Sequence, residues 1–223
     1  MSTQPLPLSV AVVPVTAFQQ NCSIVWDTKT KDAAIIDPGG DLDKILARAS
    51  KDDLKITKIL ITHAHIDHAG ATVKLQNLLN VPIEGPHPDE QFWIDLLAEE
   101  GGRYGIESHG SFVPDRWLYD NDHVTVGNQV FSVIHCPGHT PGHVVFFHAE
   151  TRFAIVGDVI FKSSIGRTDF PKGNHADLIH SIRHKLFTLG DDVQFLPGHG
   201  PLSTFGAERR SNPFVSDQAV GAQ

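Results

Sequence analysis

The sequence is poor in cysteine. Only Cys22 and Cys136 occur among 223 residues, too few for the disulfide framework on which small secreted domains depend. A chain of this length buries about 70% of the surface its unfolded form exposes and folds without such staples. Long apolar runs are missing too. The hydrophobic stretches are strand-length, short of the roughly 20 residues that cross a bilayer. The opening MSTQPLPLSVAVVPV has no basic segment ahead of an apolar core, so neither a secretory signal nor a membrane span is expected. Positive charge is in deficit: 18 Lys and Arg against 26 Asp and Glu leave a formal net charge of −8. A nucleic-acid partner, which calls for a basic face, is not expected. Low-complexity segments and short-period repeats are also lacking. A cytoplasmic protein is the expectation.

What is present is a folding composition with one anomaly. Hydrophobic residues make 40% and charged residues 20%, which excludes a disordered chain, and 14 histidines stand out. The β-rich runs 10–15, 22–26 and 33–36 are followed by a helix over 41–50, with Leu42, Ile45 and Leu46 at helical spacing. A strand over 56–62 ends at a histidine cluster, and a helix follows over 70–79 with Val73, Leu75, Leu78 and Leu79 inward. Residues 84–117 read as an excursion capping the domain, with one amphipathic helix near 91–99. Strands return at 123–126, 129–136, 143–147 and 153–157, then a helix near 176–189, a strand at 193–196 and a short tail after 200. Strand runs closed by a helix thus occur twice. The pattern predicts one α/β domain over 1–223, with two sheets face to face and helices outside.

The histidines concentrate in THAHIDH, residues 62–68. In extended chain, positions i and i+2 point the same way. His63, His65 and Asp67 can therefore converge, with His68 turning to an adjacent position as the helix starts. Three imidazoles and a carboxylate resist burial without partners, and a divalent ion supplies one. A solvated loop with incidental histidines is the alternative. Three later strand ends offer more donors: His139 in CPGH, Asp158 in VGD and His199 in PGHG. Each alone could be a turn residue; together they predict a metal site.

THAHIDH resembles the HxHxDH motif of the metallo-β-lactamase superfamily, and CPGHTPGH, VGDVIF and PGHG resemble its later metal-binding motifs in order. GRTDFP at 166–171, GPHPDEQFW at 85–93, STFG at 203–206 and NPF at 212–214 look like the short glyoxalase II-like hydrolases of bacteria. The resemblance implies an αββα four-layer sandwich with two divalent ions, zinc in the first place with iron or manganese as alternatives. It implies that His63, His65 and His139 hold one ion, that Asp67, His68 and His199 hold the other, and that Asp158 bridges both. It also places a basic substrate contact at Arg167, for which pairing with Asp169 is the structural alternative. Asp at 158, where some lactamases carry a thiolate, disfavours a β-lactam substrate. Only 24 residues follow His199, so the helical domain that helps full-length glyoxalase II hold glutathione is missing or reduced.

Two divalent ions, two aspartates and a bridging hydroxide would leave a net charge of about +1, which ionises water near neutral pH and stabilises an oxyanion. The expected reaction is thioester hydrolysis, S-D-lactoylglutathione to D-lactate and glutathione, with Asp67 also holding the attacking water. A mononuclear iron persulfide dioxygenase is the first rival. A lactonase, a non-catalytic metal-binding domain and a nuclease follow. Among the other histidines, His143 is expected behind the ligands or in the core. His87, His109, His123, His148, His180 and His184 are expected at the surface or on helices, His135 packed in its strand, and His175 is a candidate lining residue. Phe92, Trp93 and Tyr104 either roof the pocket or are simply buried.

Overall fold

The central strands are apolar on both faces, and alternate side chains go to different cores. In the strand Asp32–Ile36, Ala33 and Ile35 join one hydrophobic cluster while Ala34 and Ile36 join another. In Phe153–Gly157, Ala154 and Val156 face outward to a third cluster and Ile155 faces inward. A strand sandwiched in this way must lie in a sheet covered on both sides. The architecture is accordingly four layers, seen in a computed structural model that describes residues 6–221.

The first sheet runs in the order β1 (Leu8–Val15), β2 (Gln20–Asp27), β3 (Asp32–Ile36), β4 (Lys55–Leu60) and β5 (Ile83–Glu84). Its first three strands are antiparallel and its last three parallel. The parallel pairs need crossovers. Helix α1 (Leu42–Lys51) makes one; the short α2 (Ile66–Ala69) and α3 (Thr72–Leu79) make the next. Helix α4 (Gln91–Tyr104) follows. With α1 and α3 it covers the outer face through Ile45, Leu75, Trp93, Ile94 and Leu97. Each such side chain, fully buried, contributes about 1.5–3 kcal/mol.

The second sheet holds β6 (His123–Val126), β7 (Gln129–His135), β8 (Val144–His148) and β9 (Phe153–Gly157). A small hairpin, β10 (Ile160–Phe161) and β11 (Ser164–Ile165), comes next. Helix α5 (His175–His180) leads to β12 (Gln194–Pro197), which lies parallel to β9. The inner faces meet through Val25, Ile36, Leu60, Phe131, Val133, Phe146 and Ile155.

Three expectations need adjustment. The helix expected over 176–189 starts at His175, where Asn174 accepts from the backbone N–H groups of Ala176 and Asp177, and loosens into wider-wound turns over Ser181–Leu186. Leu78 of α3 is 61% exposed rather than inward. The residues after 200 are no simple tail. They form β13 (Ser203–Thr204), α6 (Phe205–Ser211) and α7 (Asp217–Gly221). Buried Glu208 ties α6 down by accepting from Ser163 N–H, Ser203 Oγ and Asn212 Nδ2. Among the described residues, no helix is long and apolar enough to cross a membrane.

Candidate metal centre

Strand ends and the start of helix α2 aim all seven expected residues at one place. His63 lies three residues past the end of β4, and His65 holds ψ 150° as the residue capping α2. Asp67 and His68 sit in the first turn of α2. The DPGG turn after β3 lies directly beneath: a Cβ on Gly39 would stand 1.5 Å from the Asp67 carbonyl oxygen. His139 leaves β7, Asp158 follows β9 and His199 follows β12. Gly198 lets that last loop close in, since a Cβ there would lie 2.1 Å from Asp158 Oδ1 and 2.6 Å from His68 Cε1. Asn21 at the start of β2 clamps the loop by donating its N–H to Gly198 and its side-chain amide to Pro197 and Gly200.

Two clusters result. Donor atoms of His63, His65 and His139 lie within 4.8 Å of one another, and so do those of Asp67, His68 and His199. His65 Nδ1 is 3.0 Å from His139 Nε2, and His199 Nε2 is 3.1 Å from Asp67 Oδ2. Asp158 stands between them. Its Oδ2 is 3.7 Å from His139 Nε2 and 3.6 Å from His199 Nε2, and its Oδ1 is 3.3 Å from His68 Nε2.

The outer partners fix the tautomers. His139 Nδ1 donates to the Arg167 carbonyl at 2.7 Å and His199 Nδ1 to the Phe18 carbonyl at 3.2 Å. The Thr62 hydroxyl donates to Asp37 Oδ2 at 2.6 Å, so the 3.1 Å contact with His63 Nδ1 requires His63 to donate. His68 Nδ1 donates to the same Asp37 oxygen at 2.9 Å. In their neutral forms, all four rings therefore present a bare Nε2 to the site. The Nε2 atoms of His63 and His68 and the Oδ1 of Asp158 are buried without a hydrogen-bond partner. Such atoms are costly unless something fills their valence. Imidazole nitrogens and a carboxylate in two adjoining sets fit a pair of divalent ions.

Asp37 is not among the residues singled out from the sequence. It accepts from Thr62 N–H, Thr62 Oγ1 and His68 Nδ1, so its lone pairs are engaged and it orients donors of both clusters. His143 lies where expected, behind the ligands. Its ring stacks on His63 at 4.6 Å, and its Nε2 accepts from the Asp158 N–H at 3.1 Å.

Charge separates the clusters. Burial holds His63, His65 and His139 below the usual imidazole range, hence neutral. Burial opposes charge on His68 as well, but the carboxylates of Asp158 and Asp67 outweigh it and raise its pKa well above that range. His199 is raised despite burial by its hydrogen bond to Asp67 and by Asp158. Asp158, in spite of its burial, is held well below the usual carboxylate range by His68 first and also by His199.

A cleft of about 510 Å³ opens onto both clusters, walled by Phe18, Trp93, Tyr104, Phe161, Arg167 and Phe170. Trp93 and Tyr104 thus roof it, while Phe92 stands aside under Lys172, 4.5 Å from its ring centroid. Arg167 lines the mouth, 65% exposed, in a bidentate pair with Asp169 at 2.9 and 2.8 Å and stacked over Phe170. The structural alternative for Arg167 is therefore realised in this conformation. His175 does not line the cleft; it borders a separate groove with His180 and His184. His148 is buried rather than at the surface, bonded to Thr151. His87 is half-buried, stacked on His135 at 4.1 Å.

Fold and site together define a metal-dependent enzyme scaffold. The chain belongs to the metallo-β-lactamase superfamily, whose family model matches residues 15–199. Among relatives, it is 43% identical over 213 residues to hydroxyacylglutathione hydrolase GloC of Haemophilus influenzae, covering 95% of this chain and all of that protein. Among solved structures, BLEG-1 B3 metallo-β-lactamase superposes with a TM-score of 0.85 at 33% identity, over 93% of this chain and 99% of that one. TTHA1623 in a di-iron-bound form gives 0.83 at 33%, over 92% and 99%. ETHE1 from Myxococcus xanthus gives 0.77 at 26%, over 93% and 84%.

Proposed function

We propose that the protein hydrolyses thioesters of glutathione: S-D-lactoylglutathione plus water to D-lactate plus free thiol. The observation that carries this reading is the pair of complete donor sets facing one cleft. The name of the H. influenzae relative, matched along its whole length, supports the choice of substrate. Two bound divalent ions, whether zinc, iron or manganese, would supply water ionised near neutral pH and a counter-charge for the tetrahedral oxyanion. His63, His65 and His139 would hold one, Asp67, His68 and His199 the other, and Asp158 both.

The remaining roles belong to the chain itself. Asp67 is 16% exposed in its side chain and faces the cleft, where its carboxylate can accept a hydrogen bond from the attacking water. No side-chain nucleophile is required, because a thiolate whose parent thiol has a pKa near 8.5 leaves readily. Trp93, Phe170 and Tyr104 exclude bulk water from the acyl group. Arg167 would exchange Asp169 for a substrate carboxylate. A small cytoplasmic substrate, with no nucleic acid or membrane partner, fits this reading.

Completeness of the second cluster favours hydrolysis over the single-iron dioxygenase. The likeness to BLEG-1 makes β-lactam opening the second reading, tested in the same assay. Purified protein is analysed for metal, then offered S-D-lactoylglutathione, other acylthiols, a lactone, a persulfide and a β-lactam. Two equivalents of metal and chelator-sensitive thiol release support the proposal. O₂ uptake with persulfide, or β-lactam turnover without thiol release, overturns it.

A further inference from the structure

Glu90 is a fully buried carboxylate that the chemistry above does not use. It sits in the turn Pro88–Glu90, just ahead of α4, between the loops that carry the first histidine cluster. Its Oε1 accepts the N–H of Ala64, the residue between His63 and His65, at 3.0 Å. Its Oε2 accepts the N–H of Gly142, three residues beyond His139, at 2.8 Å. The second loop has no slack there. A Cβ on Gly142 would stand 2.4 Å from Glu90 N and 2.6 Å from Glu90 Cβ. The Gly142 carbonyl accepts from His87 N–H at 3.1 Å, and His135 Nε2 donates to the Pro141 carbonyl at 2.9 Å. Glu90 therefore holds one N–H of each loop, while His87 and His135 pin the 139–143 loop further.

We infer that Glu90 is a positioning residue which, by taking one backbone N–H from each loop on its two oxygens, sets the spacing of His63 and His65 against His139. The inference rests on those three histidines forming one metal position. Only a carboxylate suits the place: an amide offers one acceptor and turns an NH₂ group against a backbone donor. Burial pushes the Glu90 carboxyl up to about 7, opposed by the Ala64 N–H, the Thr140 hydroxyl and the Gly142 N–H. The second cluster, on α2 and the loop after β12, receives no contact from Glu90 and should not respond.

The test loads wild type, Glu90→Gln and Glu90→Asp with Co²⁺. A competing chelator then removes it while bound equivalents and visible absorption are followed. Wild type should hold two equivalents. Glu90→Gln should release one of the two about 10- to 100-fold more readily, the range typical of lost outer-shell partners, with the absorption of that position weakened. Glu90→Asp keeps both acceptors and should recover most of the loss, which a mere volume effect would not give. Glu90→Gln holding both ions as tightly as wild type, or Glu90→Asp faring no better than Glu90→Gln, overturns the inference alone. Wild type binding no cobalt overturns it together with the metal reading. Should Glu90→Gln not fold, amide exchange in metal-loaded wild type decides. Slow exchange at Ala64 and Gly142, quickened by chelation, supports the brace; exchange as fast as in open loops overturns it.

Discussion

The two donor clusters are built from opposite materials. The first has three imidazoles and no carboxylate, with His63 wholly buried and His139 nearly so. The second pairs wholly buried His68 with Asp67 and His199, which line the cleft, the His199 side chain being 30% exposed. A neutral set in a dry place is tolerable without a cation, since its rings simply stay uncharged. A set containing carboxylates is not, and Asp67 and Asp158 compensate by drawing protons onto His68 and His199. Protons and metal therefore compete directly at the second cluster. At the first, geometry is the main determinant.

Asp158 is the carboxylate that faces the Nε2 atoms of both sets, those of His139 on one side and of His68 and His199 on the other, so its removal should erase the distinction. Asp158→Ala is expected to lose both equivalents of metal and to lower kcat/KM by about 10³-fold or more, measured by thiol release beside metal analysis. Retention of one tight ion would show the clusters to be independent. Asp67→Asn touches only the second. It should reduce kcat at least about tenfold, and near-native turnover with metal retained would remove Asp67 from the mechanism. Asp37→Ala strips the outer partner from His68 and, through Thr62, from His63. Affinity at both positions should fall by about 10- to 100-fold, read by chelator competition.

The pH dependence of the chelated protein sharpens the contrast. His63 and His65 are held well below the ordinary imidazole value of 6.5. The unfolded chain then takes up protons that the folded one refuses, and stability falls as pH drops below about 6.5. His68 is held well above that value. Its contribution is full below about 6.5 and is lost as pH climbs through its raised pKa. The Tm of chelated protein should therefore decline on both sides of neutrality, and Asp158→Asn should flatten the alkaline side. A Tm level from about pH 5 to 9 would break the comparison. The smallest effect is expected at the rim. Arg167→Ala should raise KM by several-fold with kcat nearly unchanged, and an unmoved KM would leave Arg167 as Asp169's partner only.

The sequence disclosed donors more readily than their supports. His63, His65, Asp67 and His68 are readable because extended chain and the first turn of a helix fix their directions locally, and Asp158 and His199 because Gly marks their strand ends. Asp37, Glu90 and Asn21 are not. Their roles consist of hydrogen bonds to backbone and side chains 25, 26 and 177 positions away, which no local pattern records. The four layers follow from strands apolar on both faces. The helices after residue 200 were missed because Glu208, which anchors them, is buried only in the assembled fold.

Metal content measured alongside thioesterase activity, before and after chelation, bears most directly on the central claim. The account predicts two equivalents of divalent metal per chain, with hydrolysis of S-D-lactoylglutathione lost on chelation and restored by metal. Full hydrolysis by metal-free protein, or a metal-loaded protein inert toward every thioester offered, would contradict it.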